Sequence, residues 1–246
     1  MPPLPRWFAH RGGGALAPEN TLAGIRLAAL FGFTAVEFDV MLSASGTPVL
    51  IHDETLERTT NGSGLVCDTP DASLFALNAG KGQRIPRFSE AAALCRQYRL
   101  LANVEIKPAG GHERQTAEAV SRLAAELWLG AENQVLISSF SPEALEIARD
   151  LAPLIPRGLL FEQVPTDWPD VARRFRAQTL HCAARHLRDD VLAEAGAQGM
   201  PVLCYTVNAA ETAESIFARG VSAAFTDRLD LFAGEAGAQA ASSPPG

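Results

Sequence analysis

The sequence predicts an α/β fold: a (β/α)8 TIM barrel with a small insertion after the second strand unit. Short apolar runs bounded by turn residues alternate with segments of helical period, which is the pattern of βα units around a parallel sheet. Eight such runs occur, the number a closed barrel needs. The length of 246 residues fits one α/β barrel of roughly 250 residues as well as it fits two smaller domains.

The elements follow in order. A first strand over 7–9 leads into His10-Arg11-Gly12-Gly13-Gly14, and a helix over 21–31 starts behind Asn20. The second strand covers 35–40, and a short return strand over 48–51 follows Ser45-Gly46 as a hairpin. The next stretch, rich in Thr, Gly, Asp and Asn, fits no βα unit and forms the insertion, about 53–86. A helix over 90–98 behind Ser89 leads to the third strand, 101–106, and a helix over 115–129 ends at Gly130. After the strand over 134–140, Ser141 caps a helix over 142–151 with Pro142 in its first turn. Strands over 158–161, 179–182 and 201–206 come next, then a helix over 209–219 ending at Gly220 and a last strand over 223–226. One domain therefore spans 1–232, and the Gly-Ala and Ser-Ser-Pro-Pro composition of 233–246 reads as a disordered tail.

Composition excludes several functions. Lys and Arg number 21 against 28 Asp and Glu, a net charge of −7, and the basic residues form no long run, which argues against nucleic acid as a partner. No stretch approaches the length of apolar sequence that would make an integral membrane segment. The start, 1–7, lacks the charged and apolar regions of a signal peptide. The four cysteines, Cys67, Cys95, Cys182 and Cys204, show neither pairing nor zinc spacing, so the expectation is reduced thiols and a cytoplasmic protein. The oligomeric state is left open.

The chemistry concentrates at strand ends. In Val36-Glu37-Phe38-Asp39-Val40 the period of two puts both carboxylates on one face of an apolar strand. In a parallel strand covered on both sides, such carboxylates must be paired or bind a cation. Val104-Glu105-Ile106-Lys107 repeats the device. Glu37, Asp39 and Glu105 together make a hard-oxygen site suited to Mg2+ or Ca2+. Lys107 beside that cation points to an anionic substrate lying between them. His10 and Arg11 follow the first strand at the mouth where barrel enzymes keep their sites, one able to move protons and the other to fork a phosphate. His52, at the end of the return strand, is a second proton-transfer candidate, and Tyr205 offers an aromatic wall. His112, His181 and His186 read as structural. The run Gly12-Gly13-Gly14-Ala15-Leu16-Ala17 also fits a dinucleotide fingerprint, but Pro18 would fall inside the helix that fingerprint requires.

Taken in order, these residues resemble the glycerophosphodiester phosphodiesterase family of the bacterial cytosolic type. The resemblance rests on His10-Arg11-Gly12, Pro18-Glu19-Asn20-Thr21, Glu37-Phe38-Asp39-Val40, His52-Asp53, the run from Leu56 to Gly64, Ile85-Pro86, Glu105-Ile106-Lys107, Ser138-Ser139-Phe140, Thr206-Val207-Asn208 and Thr226-Asp227. It implies a small-molecule substrate: a glycerophosphodiester hydrolysed to sn-glycerol 3-phosphate and an alcohol. It further implies that Glu37, Asp39 and Glu105 hold the divalent cation, that Arg11 and Lys107 contact phosphate, and that His10 and His52 serve as general acid and base through a cyclic phosphate. Tyr205 stands where the family usually has Trp and Asn78 where Asp is common, and both are placed on the alcohol side of the pocket. Two rivals stay open on sequence alone. A phospholipase-like phosphodiesterase of the same barrel would act on intact lipids. A glycoside hydrolase would use Glu37 and Glu105 without metal and leave Lys107 no role.

Overall fold

The computed structural model describes residues 4–238. The strands are β1 (Trp7–Ala9), β2 (Ala35–Leu42), β3 (Pro48–Leu50), β4 (Leu101–Ile106), β5 (Val135–Ser139), β6 (Arg157–Phe161), β7 (Thr179–Ala183), β8 (Val202–Tyr205) and β9 (Ala223–Thr226). Among the described residues, eight of them pair in parallel and close through β1–β2 and β1–β9, so the expected barrel is present. The short β3 runs antiparallel to the far end of β2, as the hairpin reading requires.

The α-helices among the described residues are α1 (Leu22–Leu30), α2 (Asp71–Leu74), α3 (Phe88–Tyr98), α4 (Glu113–Leu127), α5 (Pro142–Leu151), α6 (Trp168–Phe175), α7 (Asp189–Ala197), α8 (Ala210–Ala218) and α9 (Leu229–Ala238). In α5 the predicted cap is in place: Ser141 accepts from the Ala144 N–H, with Pro142 in the first turn. Helix α4 runs two residues earlier than expected at both ends, and two capping schemes differ from expectation. Thr21, not Asn20, caps α1 by accepting from the Gly24 N–H. Helix α3 begins at Phe88, before Ser89, and Glu90 reaches back to the Arg87 N–H.

The alternation along the strands sorts the barrel into layers. Val36, Phe38, Val40, Val104 and Ile106 face outward into the main core beneath the helices. Phe8, Ala35, Leu203, Ala223 and Phe225 fill the barrel axis from below and form the floor on which the polar mouth stands. The insertion has its own small core, in which Met41, Val49, Ile51, Leu56, Val66, Leu74 and Ile85 pack together. Asp71 anchors it to the β2–β3 turn by accepting from the Ser43 and Thr47 hydroxyls at 2.6 and 2.7 Å.

Helix α9 overturns part of the predicted tail. Trp7 stacks on Phe232 with ring centroids 3.8 Å apart and donates to Glu235, and Ala236 is buried. Burial of this apolar face outweighs the low propensity of the glycines. The remaining predicted tail, from residue 239, lies outside the described residues.

Gly158 on β6 is a packing requirement. A Cβ there would lie 2.6 Å from His181 Nε2 and 2.7 Å from Thr179 Oγ1, both buried in the barrel. Gly158→Ala is expected to destabilise the protein by about 1–3 kcal/mol, read as a lower midpoint in urea unfolding. An unchanged midpoint would show that the interior yields there.

Candidate active site

All eight residues singled out from the sequence, His10, Arg11, Glu37, Asp39, His52, Glu105, Lys107 and Tyr205, line one cavity of about 340 Å³ at the C-terminal mouth. The strand register explains the carboxylates: Asp39 pairs with Glu105 and Glu37 with Asn103 across β2 and β4. All three acids point inward, and one oxygen from each lies within 4.8 Å of the others. Glu37 and Asp39 are 3% and 1% exposed, and Glu37 Oε1 has no hydrogen-bond partner among the described residues. A buried, unpartnered carboxylate oxygen beside two further carboxylates is costly unless a cation completes it. The donor set therefore fits a hard divalent cation.

The electrostatics agree. Burial, helped by the charge of Asp39, raises the Glu37 carboxyl to about 8. Burial and Asp39 likewise raise Glu105 to about 7, against the pull of Lys107. Asp39 is equally buried, yet Lys107 at 3.5 Å, His52 and Arg11 at 3.6 Å hold it below its ordinary value. Groups raised above their ordinary value of 4.5 favour the fold fully only below that pH, and the benefit is lost as pH climbs through 7 to 8. The melting temperature of the cation-free protein is therefore expected to fall between about pH 5 and pH 8. Added divalent cation should restore more at the upper end than at the lower, and a flat profile with no cation effect would contradict the site.

The two histidines are held alike. His10 Nδ1 lies 2.7 Å from Asp227 Oδ1, and His52 Nδ1 lies 2.6 Å from Asp53 Oδ1. An ionised carboxylate only accepts, so Nδ1 donates in both rings and Nε2 is left for the cavity. His10 Nε2 stands 3.8 Å from Glu37 Oε2. Burial lowers the basicity of His10, but the bond to Asp227 and the charge of Glu37 outweigh it, so its pKa lies above the ordinary value. At His52, burial, reinforced by Lys107, outweighs Asp39, and the pKa lies below.

The cations are fixed by the same acids. Lys107 Nζ donates to Glu105 at 2.8 Å and faces Asp39. Burial lowers its pKa, but Glu105 and Asp39 raise it further, so it stays charged. Arg11 donates to Glu19 at 2.9 Å, while its backbone N–H donates to Glu37. Asn20, expected only as a helix start, is buried and grips Asp39 twice: its amide donates to Oδ2 and its carbonyl accepts the Asp39 N–H.

Sequence reasoning left Asp227, Asp53, Glu19 and Arg58 without roles, although each stands in a motif noted above. Tyr205 is a wall rather than a polar contact, since its hydroxyl donates to the Phe161 carbonyl at 2.9 Å and its ring meets Phe140 edge-on. Asn78 does not line the cavity. Its side chain accepts from the Gly80 and Gly82 N–H groups and so shapes a turn of the insertion. His181 does line the cavity, buried with Nε2 on Thr179, and burial lowers it to about 3, which keeps it neutral. The glycine run opens no helix: Gly14–Leu16 is one 3-10 turn and α1 starts at Leu22, so the dinucleotide reading fails.

Known proteins share this frame. The chain is 32% identical over 231 residues to a glycerophosphodiester phosphodiesterase of Caldanaerobacter subterraneus, covering 89% of this chain and 93% of that one. It is 39% identical over 147 residues to human glycerophosphodiester phosphodiesterase 1, 56% of this chain and 43% of the relative. An Oleispira antarctica phosphodiesterase, solved in complex with the product sn-glycerol-3-phosphate, is 35% identical and superposes with a TM-score of 0.87 over 98% of both chains. A glycerophosphodiester phosphodiesterase from Agrobacterium tumefaciens is 28% identical, with a TM-score of 0.79 over 94% of this chain and all of that one. The glycerophosphoryl diester phosphodiesterase family model matches residues 10–231, which takes in every cavity residue named here, and this chain belongs to that family of enzymes.

Proposed function

We propose that the protein hydrolyses glycerophosphodiesters to sn-glycerol 3-phosphate and an alcohol, using a divalent cation and two histidines. The observation that carries this reading is the convergence of two carboxylate-held histidines and three buried carboxylates on one cavity that also contains Arg11 and Lys107. The Oleispira antarctica relative, whose structure is in complex with the product sn-glycerol-3-phosphate, supports the substrate class.

Glu37, Asp39 and Glu105 would hold the cation, Mg2+ or Ca2+, which supplies Lewis-acid neutralisation of the phosphoryl charge. Arg11 and Lys107 bind the phosphodiester oxygens and oppose the negative charge that grows on them. One histidine, through Nε2, takes the proton of the glycerol hydroxyl next to the ester. That oxygen forms a bond to phosphorus while the bond to the alcohol breaks. The other histidine gives its proton to the leaving oxygen. Water then opens the resulting cyclic glycerol phosphate, with the two proton roles exchanged. Tyr205 and Phe140 wall the cavity on one side.

Release of sn-glycerol 3-phosphate from glycerophosphocholine or glycerophosphoethanolamine tests the reading. Turnover of a glycoside in place of these diesters would overturn it. No described helix is long and apolar enough to cross a membrane. The cytoplasmic location is part of the same proposal and is supported by the four free cysteines, and the substrate in it is the small diester rather than intact lipid.

A further inference from the structure

We propose that Arg58, from the insertion, is a positioning residue for His52 and acts on it through Asp53. This rests on the reading that His52 transfers a proton. His52 lies just beyond β3, its side chain is 32% exposed, and among the described residues that side chain makes one hydrogen bond, from Nδ1 to Asp53. A ring at an open loop end, held at one atom, points only as well as its holder does. Asp53 is itself a loop residue and therefore needs a fixed partner. Arg58 supplies one: its Nε donates to Asp53 Oδ2, and its Nη2 donates at 3.0 Å to Oδ1, the same oxygen that faces the histidine.

The outer edge of the guanidinium is anchored in turn. Nη1 and Nη2 donate to the two oxygens of Glu19 at 2.8 Å each, and Glu19 also accepts from Arg11 at 2.9 Å. One arginine thus spans two carboxylates, one on the β1–α1 loop and one beside His52. The arrangement needs a planar fork with donors on two edges, which lysine does not have. With its side chain 46% exposed, Arg58 adds little to global stability. A tenth of a nanometre of error in a proton donor or acceptor, by contrast, costs about 100-fold in rate. The geometry therefore points to a device for aim rather than for holding the fold.

The test is a double-mutant cycle on glycerophosphocholine turnover with wild type, Arg58→Met, Arg58→Lys, His52→Ala and the His52→Ala/Arg58→Met double variant, all loaded with Mg2+. Arg58→Met is expected to lower kcat about 10- to 100-fold with KM changed less than about 3-fold, and Arg58→Lys to recover only part of the loss. In the His52→Ala background the same change should alter the rate less than about 2-fold, because the group it aims is gone. An equal loss in both backgrounds, a loss confined to KM, or full recovery by lysine overturns the proposal. Full activity of Arg58→Met beside a crippled His52→Ala overturns it alone, whereas a fully active His52→Ala removes the parent reading as well.

Discussion

Chelation of divalent cations is expected to stop sn-glycerol 3-phosphate release, and Mg2+ or Ca2+ added back in excess to restore it. Three carboxylates share a volume in which one oxygen from each lies within 4.8 Å of the others, and two of them are raised to about 7 and 8 when no cation is there to balance them. In that state the cavity carries protons on groups that should be ligands, and Arg11 and Lys107 are left to face the phosphodiester alone. Glu105→Gln and Asp39→Asn keep shape but remove charge. Each is expected to lower kcat/KM by on the order of 10³-fold, comparable with loss of a preorganised charge-stabilising group. Titrating the metal should show the variants needing far more cation than wild type. Undiminished turnover in chelator, with variants as active as the parent, would leave the acidic cluster without a catalytic role.

Replacing either histidine is the second large effect. His10→Ala and His52→Ala are each expected to reduce kcat about 10²- to 10⁴-fold with KM little changed, since general acid and base contributions are made in the transition state. The double variant should lose far less than the product of the two losses, because both rings serve the same proton traffic. Leaving-group dependence then separates the rings: the variant lacking the acid recovers on an aryl ester whose alkoxide needs no proton, and the variant lacking the base does not. Equal loss on both esters for both variants would refute this division of labour.

The cluster of acids was legible in the sequence because a strand displays it. Glu37-Phe38-Asp39 and Glu105-Ile106-Lys107 place charge on one face by period two, and barrel closure then brings those faces together. The hairpin that carries His52 was legible for the same local reason. Asp53 lies beside His52 in the sequence, but the holder of His10 and the anchor of Arg58 are remote. Asp227 meets His10 across 217 residues of chain, and Glu19 meets Arg58 across 39, so only closure of the barrel and folding of the insertion make them neighbours. An Asn before a helix reads as a cap, whereas the left-handed backbone of Asn20, φ 55°, turns its amide back to Asp39. The last helix was hidden by glycine and alanine, residues whose composition says nothing of the Trp7 surface waiting for Phe232. Helices α6 and α7 leave a weaker start signal in the sequence, because neither has the side-chain cap that marks α1 and α5.

The antiparallel return of β3 has a consequence for how this enzyme can vary. Its pairing, Val40 with Leu50 and Met41 with Val49, works as a ruler that measures His52 off from Asp39. Adding or deleting one residue within that ladder would reverse which side every following side chain faces, and would turn the imidazole out of the mouth. Beyond Arg58 no such measure applies, and loops that end in their own small core can lengthen without moving the ring. Changes of length are thus free to accumulate in the far part of the insertion, while the first few residues after β2 stay bound to a fixed count.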